Sequence, residues 1–167
     1  RFARIYITDS SPSSTGDDPY ELNGKSFGIA YNDNSVTAAA MSATEKKVNG
    51  QNRLEGKEML MRADVLNNIG VLLVANDGDI QEWTFESVEK DKYRIKTAGD
   101  ESGKYLKIDN GNVTMVDDPD SASLIQVTPG TGSNKGKWHF TVNNYTLNFS
   151  GSAANGFNAA NNNNATT

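Results

Sequence analysis

KYRIKTAGDESGKYLKIDNGNVTMVDDPDSASLIQV, residues 92–127, is the stretch whose reading decides the fold. In KYRIKT, 92–97, Tyr93 and Ile95 alternate with Lys and Arg, a period of two that marks a half-buried strand. KYLKID, 104–109, has the same alternation, and Asn110-Gly111 supplies a turn into NVTMVD, 112–117. SASLIQV, 121–127, is a fourth strand.

The same grammar extends in both directions. Upstream, KSFGIAY (25–31) and VTAAAMSA (36–43) form a predicted hairpin across NDNS. GVLLVAN (70–76) and IQEWTFESV (80–88) are predicted to form another, because Asp77-Gly78 suits a two-residue turn with positive φ at both centres. Downstream come KWHFTV (137–142), NYTLNFS (144–150) and GFNAA (156–160). These strands fall into three sets, the last lacking its fourth member. Tyr93 and Trp138 lie 45 positions apart, Tyr105 and Tyr145 lie 40 apart, and Trp83 and Phe85 match Ile125 and Val127 at a shift of 42. A threefold unit of this length suits a β-trefoil, since three units are too few for an ordinary propeller. The expected fold is therefore all-β and β-trefoil-like. Its expected core comprises Phe27, Ile29, Leu73, Trp83, Phe85, Tyr93, Ile95, Leu106, Ile108, Ile125, Val127, Trp138, Phe140 and Leu147.

One segment breaks the period. In NRLEGKEMLMRADVL, 52–66, Leu54, Met59, Leu60, Met61 and Leu66 sit among good helix formers, which predicts a short helical insertion ending at Asn68 and Gly70. Residues 1–7, RFARIYI, alternate like a strand, and TDSSPSSTGDDP, 8–19, reads as a linker from a preceding domain. The main domain is expected over 20–167. The chain opens on Arg with no signal peptide after it, which suggests an internal piece of a longer protein.

The totals set further bounds. The chain has 167 residues, a net charge of −5 and no cysteine. One domain of this size buries a core without disulfides or metals. An acidic balance with no Lys/Arg stripe argues against nucleic acid and against an anionic membrane surface. No apolar run reaches membrane-spanning length; the longest, Gly70 to Ala75, is strand-sized.

Two stretches resemble known families. Gln81-Glu82-Trp83 is similar to the Gln-x-Trp signature of ricin-type β-trefoil lectins, though it occurs once here, and a core Trp on the last strand of a repeat is the favoured reading. Over residues 20–167, PYELNGKSFGIAYNDNSVTAAAM, EMLMRADVL, EWTFE, KYLKIDNGNVT and PGTGSNKGKWHFTVNNYTLNFSGSAANGFNAANN together resemble a module of large cell-wall-anchored surface proteins of gut Firmicutes. That resemblance implies extracellular display beside repeated pilin-like domains. Some proteins of this kind bind host immunoglobulin as B-cell superantigens. The resembling modules continue past the Asn-rich stretch into a Trp-Leu-Asn-Leu strand. In its absence, residues 1–7 are one candidate for the missing strand.

Catalytic chemistry is poorly provided for. His139, the sole histidine, lies between Trp138 and Phe140 with no orienting acid nearby in sequence, so neither a triad nor a zinc site is expected. Glu82 and Glu86 share one strand face and read as a solvated pair rather than a glycosidase couple. The turns Asp77-Gly78-Asp79, Asp109 to Asn112 and Asp117 to Asp120 have oxygen ligands for calcium, but hairpin turns demand the same residues. Gly130 to Gly136 lacks the ending of a phosphate loop. The Asn sequons at 112, 144, 148 and 164 are attributed to composition.

The expected function is a non-catalytic binding module, without cofactor or metal, contacting a host protein or glycan such as immunoglobulin or mucin. The alternative is a structural spacer displaying its neighbours. The module is expected to be monomeric within its longer chain. Loops 44–58, 128–136 and 150–164 are the longest. The candidate ligand-binding residues are Arg53, Lys57, Met61 and Arg62, a basic and soft apolar edge on an acidic domain. Phe157 is a further candidate as an apolar anchor, or else a core residue of the eleventh strand.

Overall fold

The computed structural model describes residues 20–32, 37–60, 70–74, 80–99, 103–134 and 136–161. Within them lie twelve strands, all pairing antiparallel in one large sheet: β1 (Ser26–Asn32), β2 (Thr37–Val48), β3 (Gln51–Leu60), β4 (Gly70–Val74), β5 (Glu82–Glu89), β6 (Lys92–Thr97), β7 (Tyr105–Asp109), β8 (Asn112–Val116), β9 (Ile125–Pro129), β10 (Trp138–Val142), β11 (Tyr145–Phe149) and β12 (Phe157–Asn161). Two short 3-10 turns are the only helical elements among the described residues. The protein is all-β.

The predicted helix over 52–66 is corrected. Residues 51–60 are β3, which pairs with β2 along nine residue pairs from Thr37↔Leu60 to Val48↔Gln51, with a bulge between Met41 and Glu45. Glu, Lys and Met favour helices, but the Asn49-Gly50 turn has positive φ at both residues (52° and 80°) and closes a hairpin that local propensity cannot override. The rest of the segment, 61–66, lies outside the described residues, as do 1–19.

A pairing rule recurs along the chain. The start of β6 (Lys92, Tyr93) pairs with β9, its end (Lys96) with β7, and its other edge with β5. The start of β1 (Ser26–Gly28) pairs with β5 and its end (Ala30–Asn32) with β2. The end of β10 pairs with β11 and its other edge with β9.

On the remaining edge of β1 lies β4, from Gly28↔Val74 to Asn32↔Gly70. The expected hairpin between 70–76 and 80–88 is therefore corrected as well. Gly28 has Val74 on one edge and Glu82 on the other, so β4 and β5 flank β1 instead of pairing together. Relative to β1, β4 holds the place that β5 holds relative to β6 and β9 to β10. It also packs beside β10, with no ladder between them among the described residues.

Every residue of the expected core is buried. Phe85 sits at its centre, with the rings of Phe27, Tyr93 and Phe140 at 6.5, 6.0 and 6.2 Å, one from each of the three sets. Trp83 is fully buried and its indole N–H donates to the Met41 carbonyl at 3.3 Å, meeting the need of a buried indole for an acceptor. A second apolar cluster joins Ala30, Ala38, Ala40, Met59, Leu72, Val74 and Ile80.

Candidate functional site

The basic edge expected on a helix is instead part of the β2–β3 hairpin. Arg53 is half-buried and bound on two sides: its Nε donates to Gln51 Oε1 at 2.8 Å and its guanidinium to the Asn155 carbonyl at 3.1 Å. Lys46, opposite Arg53 in the ladder, donates to the Ala154 carbonyl and lies 3.9 Å from Glu55. Lys57 is exposed further along β3. Met61 and Arg62 lie outside the described residues. Phe157 is fully buried, its ring edge-on to Phe149 at 5.3 Å, so as an exposed ligand anchor it is corrected to a core residue. Its alternation on β12, outward Asn158 beside inward Phe157 and Ala159, explains that burial.

Two cations thus clasp the turn at 150–156 from the hairpin side. Gly56 N–H also donates to the Ala153 carbonyl at 3.0 Å. The turn is closed by Ser150 N–H to Gly156 O (2.9 Å) and by Asn155 and Gly156 N–H groups to Ser152 O (3.1 and 3.0 Å). Gly156 has φ +73°, and a Cβ there would lie 2.3 Å from the Leu54 carbonyl oxygen, so only glycine lets the turn approach β3 this closely.

This clasped turn forms one wall of an open cleft of about 160 Å³, lined by Tyr31, Ala38, Ala39, Glu58, Phe149, Gly151, Ser152 and Ala153. Tyr31 stacks on Phe149 at 4.9 Å with 13° between the rings. Two alanines on β2 keep the floor shallow. Glu58 is exposed and has no hydrogen-bond or ion-pair partner among the described residues. Ser152 Oγ accepts from Asn155 N–H at 3.1 Å, which leaves its hydroxyl proton available to donate. The cleft therefore combines stacked aromatic rings, an exposed acceptor carboxylate and a hydroxyl. The loop at 150–156 is legible in the sequence, but Tyr31, Glu58 and Phe149 are not, because the residues meet only after β3 forms a strand.

Other concavities are less suited. One of about 190 Å³ beside the end of β9 is lined by Glu21, Asp91, Tyr93 and Trp138, and Leu22 N–H donates to the Tyr93 hydroxyl at 3.4 Å. A third, shallow and about 470 Å³, has Lys92, Lys107 and Asp109 on its walls. The acidic turn weighed for calcium is used internally: Asp118 Oδ1 caps the 3-10 turn by accepting from Asp120 N–H at 2.9 Å, and Asp120 lies 3.9 Å from Arg94. No group of three or more metal-ligating side chains occurs among the described residues. Glu86 is bound by Lys96 at 2.9 Å and by the Tyr105 hydroxyl at 3.3 Å, and this partner raises the Lys96 pKa. His139 is half-buried opposite Thr128, and burial, then the neighbouring Lys137 charge, lower its pKa.

No family model, no curated protein and no solved structure matches the chain.

Proposed function

We propose that the chain is a non-catalytic, β-trefoil-like binding module of a bacterial cell-surface protein, which holds a sugar of a host glycoprotein in the cleft at Tyr31, Glu58, Phe149 and Ser152. The observation that carries this reading is the Glu58 carboxylate, without a hydrogen-bond or ion-pair partner among the described residues, beside a stacked aromatic pair. A sugar ring presents apolar C–H faces to aromatic rings and paired hydroxyls to a carboxylate, and small-ligand sites combine apolar walls with few placed polar groups. Immunoglobulin and mucin are the candidate glycoproteins. The display on a cell wall through a parent chain rests on the sequence resemblance over 20–167.

The trefoil-like assignment is supported by the recurring pairing rule and by three hairpins, β2–β3, β7–β8 and β11–β12, that meet one another. Asn52 N–H donates to Asn112 Oδ1 at 3.0 Å, Ala159 N–H to Gly111 O at 3.2 Å, and Asn158 Nδ2 to Gln51 Oε1 at 3.0 Å. The non-catalytic reading is supported by the commitment of Glu86 to Lys96 and Tyr105.

The test is a pull-down of serum immunoglobulin and mucus glycoproteins, before and after enzymatic removal of glycans, with wild type and Glu58→Gln. Capture that depends on glycans and weakens in the variant supports the reading. Capture of nothing specific favours the second reading, a structural spacer, for which the observation is that Lys46 and Arg53 are spent on holding the 150–156 turn.

A further inference from the structure

The shallow concavity of about 470 Å³ between β7, the loop before β9 and the β10–β11 turn is lined by no aromatic ring, so it lacks what the cleft at Tyr31 offers a neutral sugar. It differs in charge instead. Lys92, at the start of β6, and Lys107, on β7, share its wall with one carboxylate, Asp109. The wall is positive on a chain of net charge −5, a local exception that draws anions. Neither lysine is committed to a strong partner. Lys92 lies 3.8 Å from Glu89, with 45% and 57% of the two side chains exposed, an ion pair worth little in water. Lys107 has no hydrogen-bond or ion-pair partner among the described residues.

The frame around the lysines is firmly built. Ser123 Oγ accepts from Ile108 N–H at 2.8 Å and donates to Ile108 O at 3.2 Å, and Ser123 N–H donates to Leu106 O at 3.4 Å, so the loop before β9 is stapled to β7. Upstream, Pro119 and the Asp118 cap fix the 3-10 turn that ends at Ser121 on the rim. On the other side, Asn143 and Asn144, at φ 49° and 70°, close the β10–β11 hairpin and leave Asn143 exposed. Lys92 pairs with Gln126 of β9, which pairs in turn with Thr141 of β10, so a continuous ladder sets the spacing of the walls. Leu124 adds an apolar spot: it is 37% exposed, one of three exposed large apolar side chains among the described residues, and lines the concavity with Val142.

We infer that this concavity is a second carbohydrate site, which takes an acidic, N-acylated sugar: its carboxylate or sulfate meets Lys92 and Lys107, its acyl methyl covers Leu124 and Val142, and its hydroxyls meet Asp109 and Asn143. Ammonium groups are point charges suited to either anion, a carboxylate accepts from hydroxyls, and a side-chain amide both donates and accepts. A bare anion gains nothing from Leu124, and a neutral sugar gains nothing from the lysines. The site shares no lining residue with the cleft at Tyr31 and Glu58, so it does not rest on the reading of that cleft.

The test is a titration of the isotope-labelled protein, followed by backbone amide chemical shifts, with four probes. They are the methyl glycoside of N-acetylneuraminic acid, N-acetylglucosamine sulfated at its primary hydroxyl, plain N-acetylglucosamine and inorganic sulfate. The expected result is saturable shifts at the amides of Lys107, Ser123, Leu124 and Asn143 with one or both acidic sugars, and affinity about tenfold or more weaker for the neutral sugar and for inorganic sulfate. A response to the first sugar alone identifies the carboxylate, to the second alone the sulfate, and to both the shared charge. Lys92→Gln/Lys107→Gln is expected to weaken the acidic sugars about tenfold or more. The amides of Tyr31, Glu58 and Ser152 report the other cleft in the same spectra, so the two sites succeed or fail separately. Absence of shifts around Lys107 with both acidic sugars overturns the inference. So does inorganic sulfate binding as tightly as the sugars, an adventitious ion only, or an unchanged affinity in the double variant.

Discussion

Leu54 of β3 and Phe157 of β12 are register partners across an antiparallel ladder, and both are fully buried. This pair joins the segment expected to be a helix to the residue considered as an exposed anchor. It gives both the same role, the seam where the β2–β3 hairpin meets the end of the described chain.

Phe157→Ala is expected to cost about 3–5 kcal/mol of stability, as for other aromatic-to-alanine changes in a core. Urea unfolding followed by tryptophan fluorescence measures it. A cost below about 1 kcal/mol would show that the ring is not packed as described.

Gly156→Ala is expected to destabilise by about 2–4 kcal/mol, because positive φ and a collision with a backbone oxygen add to each other. Gly151→Ala, at φ +94° with nothing near its Cβ, is the matched control and should cost about 1 kcal/mol or slightly more. Equal losses in the two variants would remove the close approach to Leu54 as the cause.

Arg53→Ala and Lys46→Ala should loosen the 150–156 turn, with a global cost of about 0.5–1 kcal/mol each, since both hydrogen bonds are solvent-exposed. Faster hydrogen exchange at the Gly56 amide, which bonds the Ala153 carbonyl, reads the effect locally. Lys57→Ala should leave that amide unchanged.

Glu58→Gln is expected to leave stability within about 0.5 kcal/mol of wild type, because the carboxylate is exposed and has no partner among the described residues. In the proposed reading it weakens glycan binding by roughly tenfold or more, the loss of a charge-assisted hydrogen bond. Titration calorimetry with the captured glycan measures both affinity and stoichiometry.

His139 makes stability depend on pH in a defined direction. Its folded pKa is lowered, first by burial and then by Lys137, so the unfolded chain binds the proton more readily. The neutral form contributes stability that is present above the unfolded value of about 6.5 and declines as pH falls from there toward the lowered folded value. Replacing His139 with Gln should flatten the difference in unfolding free energy between pH 7.5 and 5. A variant with the same slope as wild type would place the dependence on the carboxylates instead.

Period-two alternation made most strands legible, since Tyr93 and Ile95, or Trp138 and Phe140, point to one face whatever their partners are. It identified the buried set because one face of each strand is apolar. It did not reveal what each strand pairs with. Asp77-Gly78 suggested that 70–76 turns back onto 80–88, yet both strands take opposite edges of β1, a long-range choice that Gly28 permits by lacking a side chain. In 52–66, Glu55, Lys57, Glu58 and Met59 spoke for a helix by composition, while the signal for a strand lay outside the segment, in Asn49-Gly50. The cleft was invisible for the same reason. Tyr31, Glu58 and Phe149 come from three strands whose adjacency follows from pairing, and the sequence marked only the Gly- and Asn-rich loop beside them.

The seam at Leu54 and Phe157 has a kinetic consequence. Gln51 and Asn158, which bond beside it, are 107 positions apart, whereas the β2–β3 hairpin closes over two turn residues and the β10–β11 hairpin over Asn143-Asn144. Hairpins of this kind form in microseconds, but folds dominated by distant pairings complete in milliseconds to seconds. Until the residues near Phe157 arrive, the paired hairpins hold Leu54 uncovered. Aggregation should therefore follow the time the chain spends folding more closely than the stability of the finished fold.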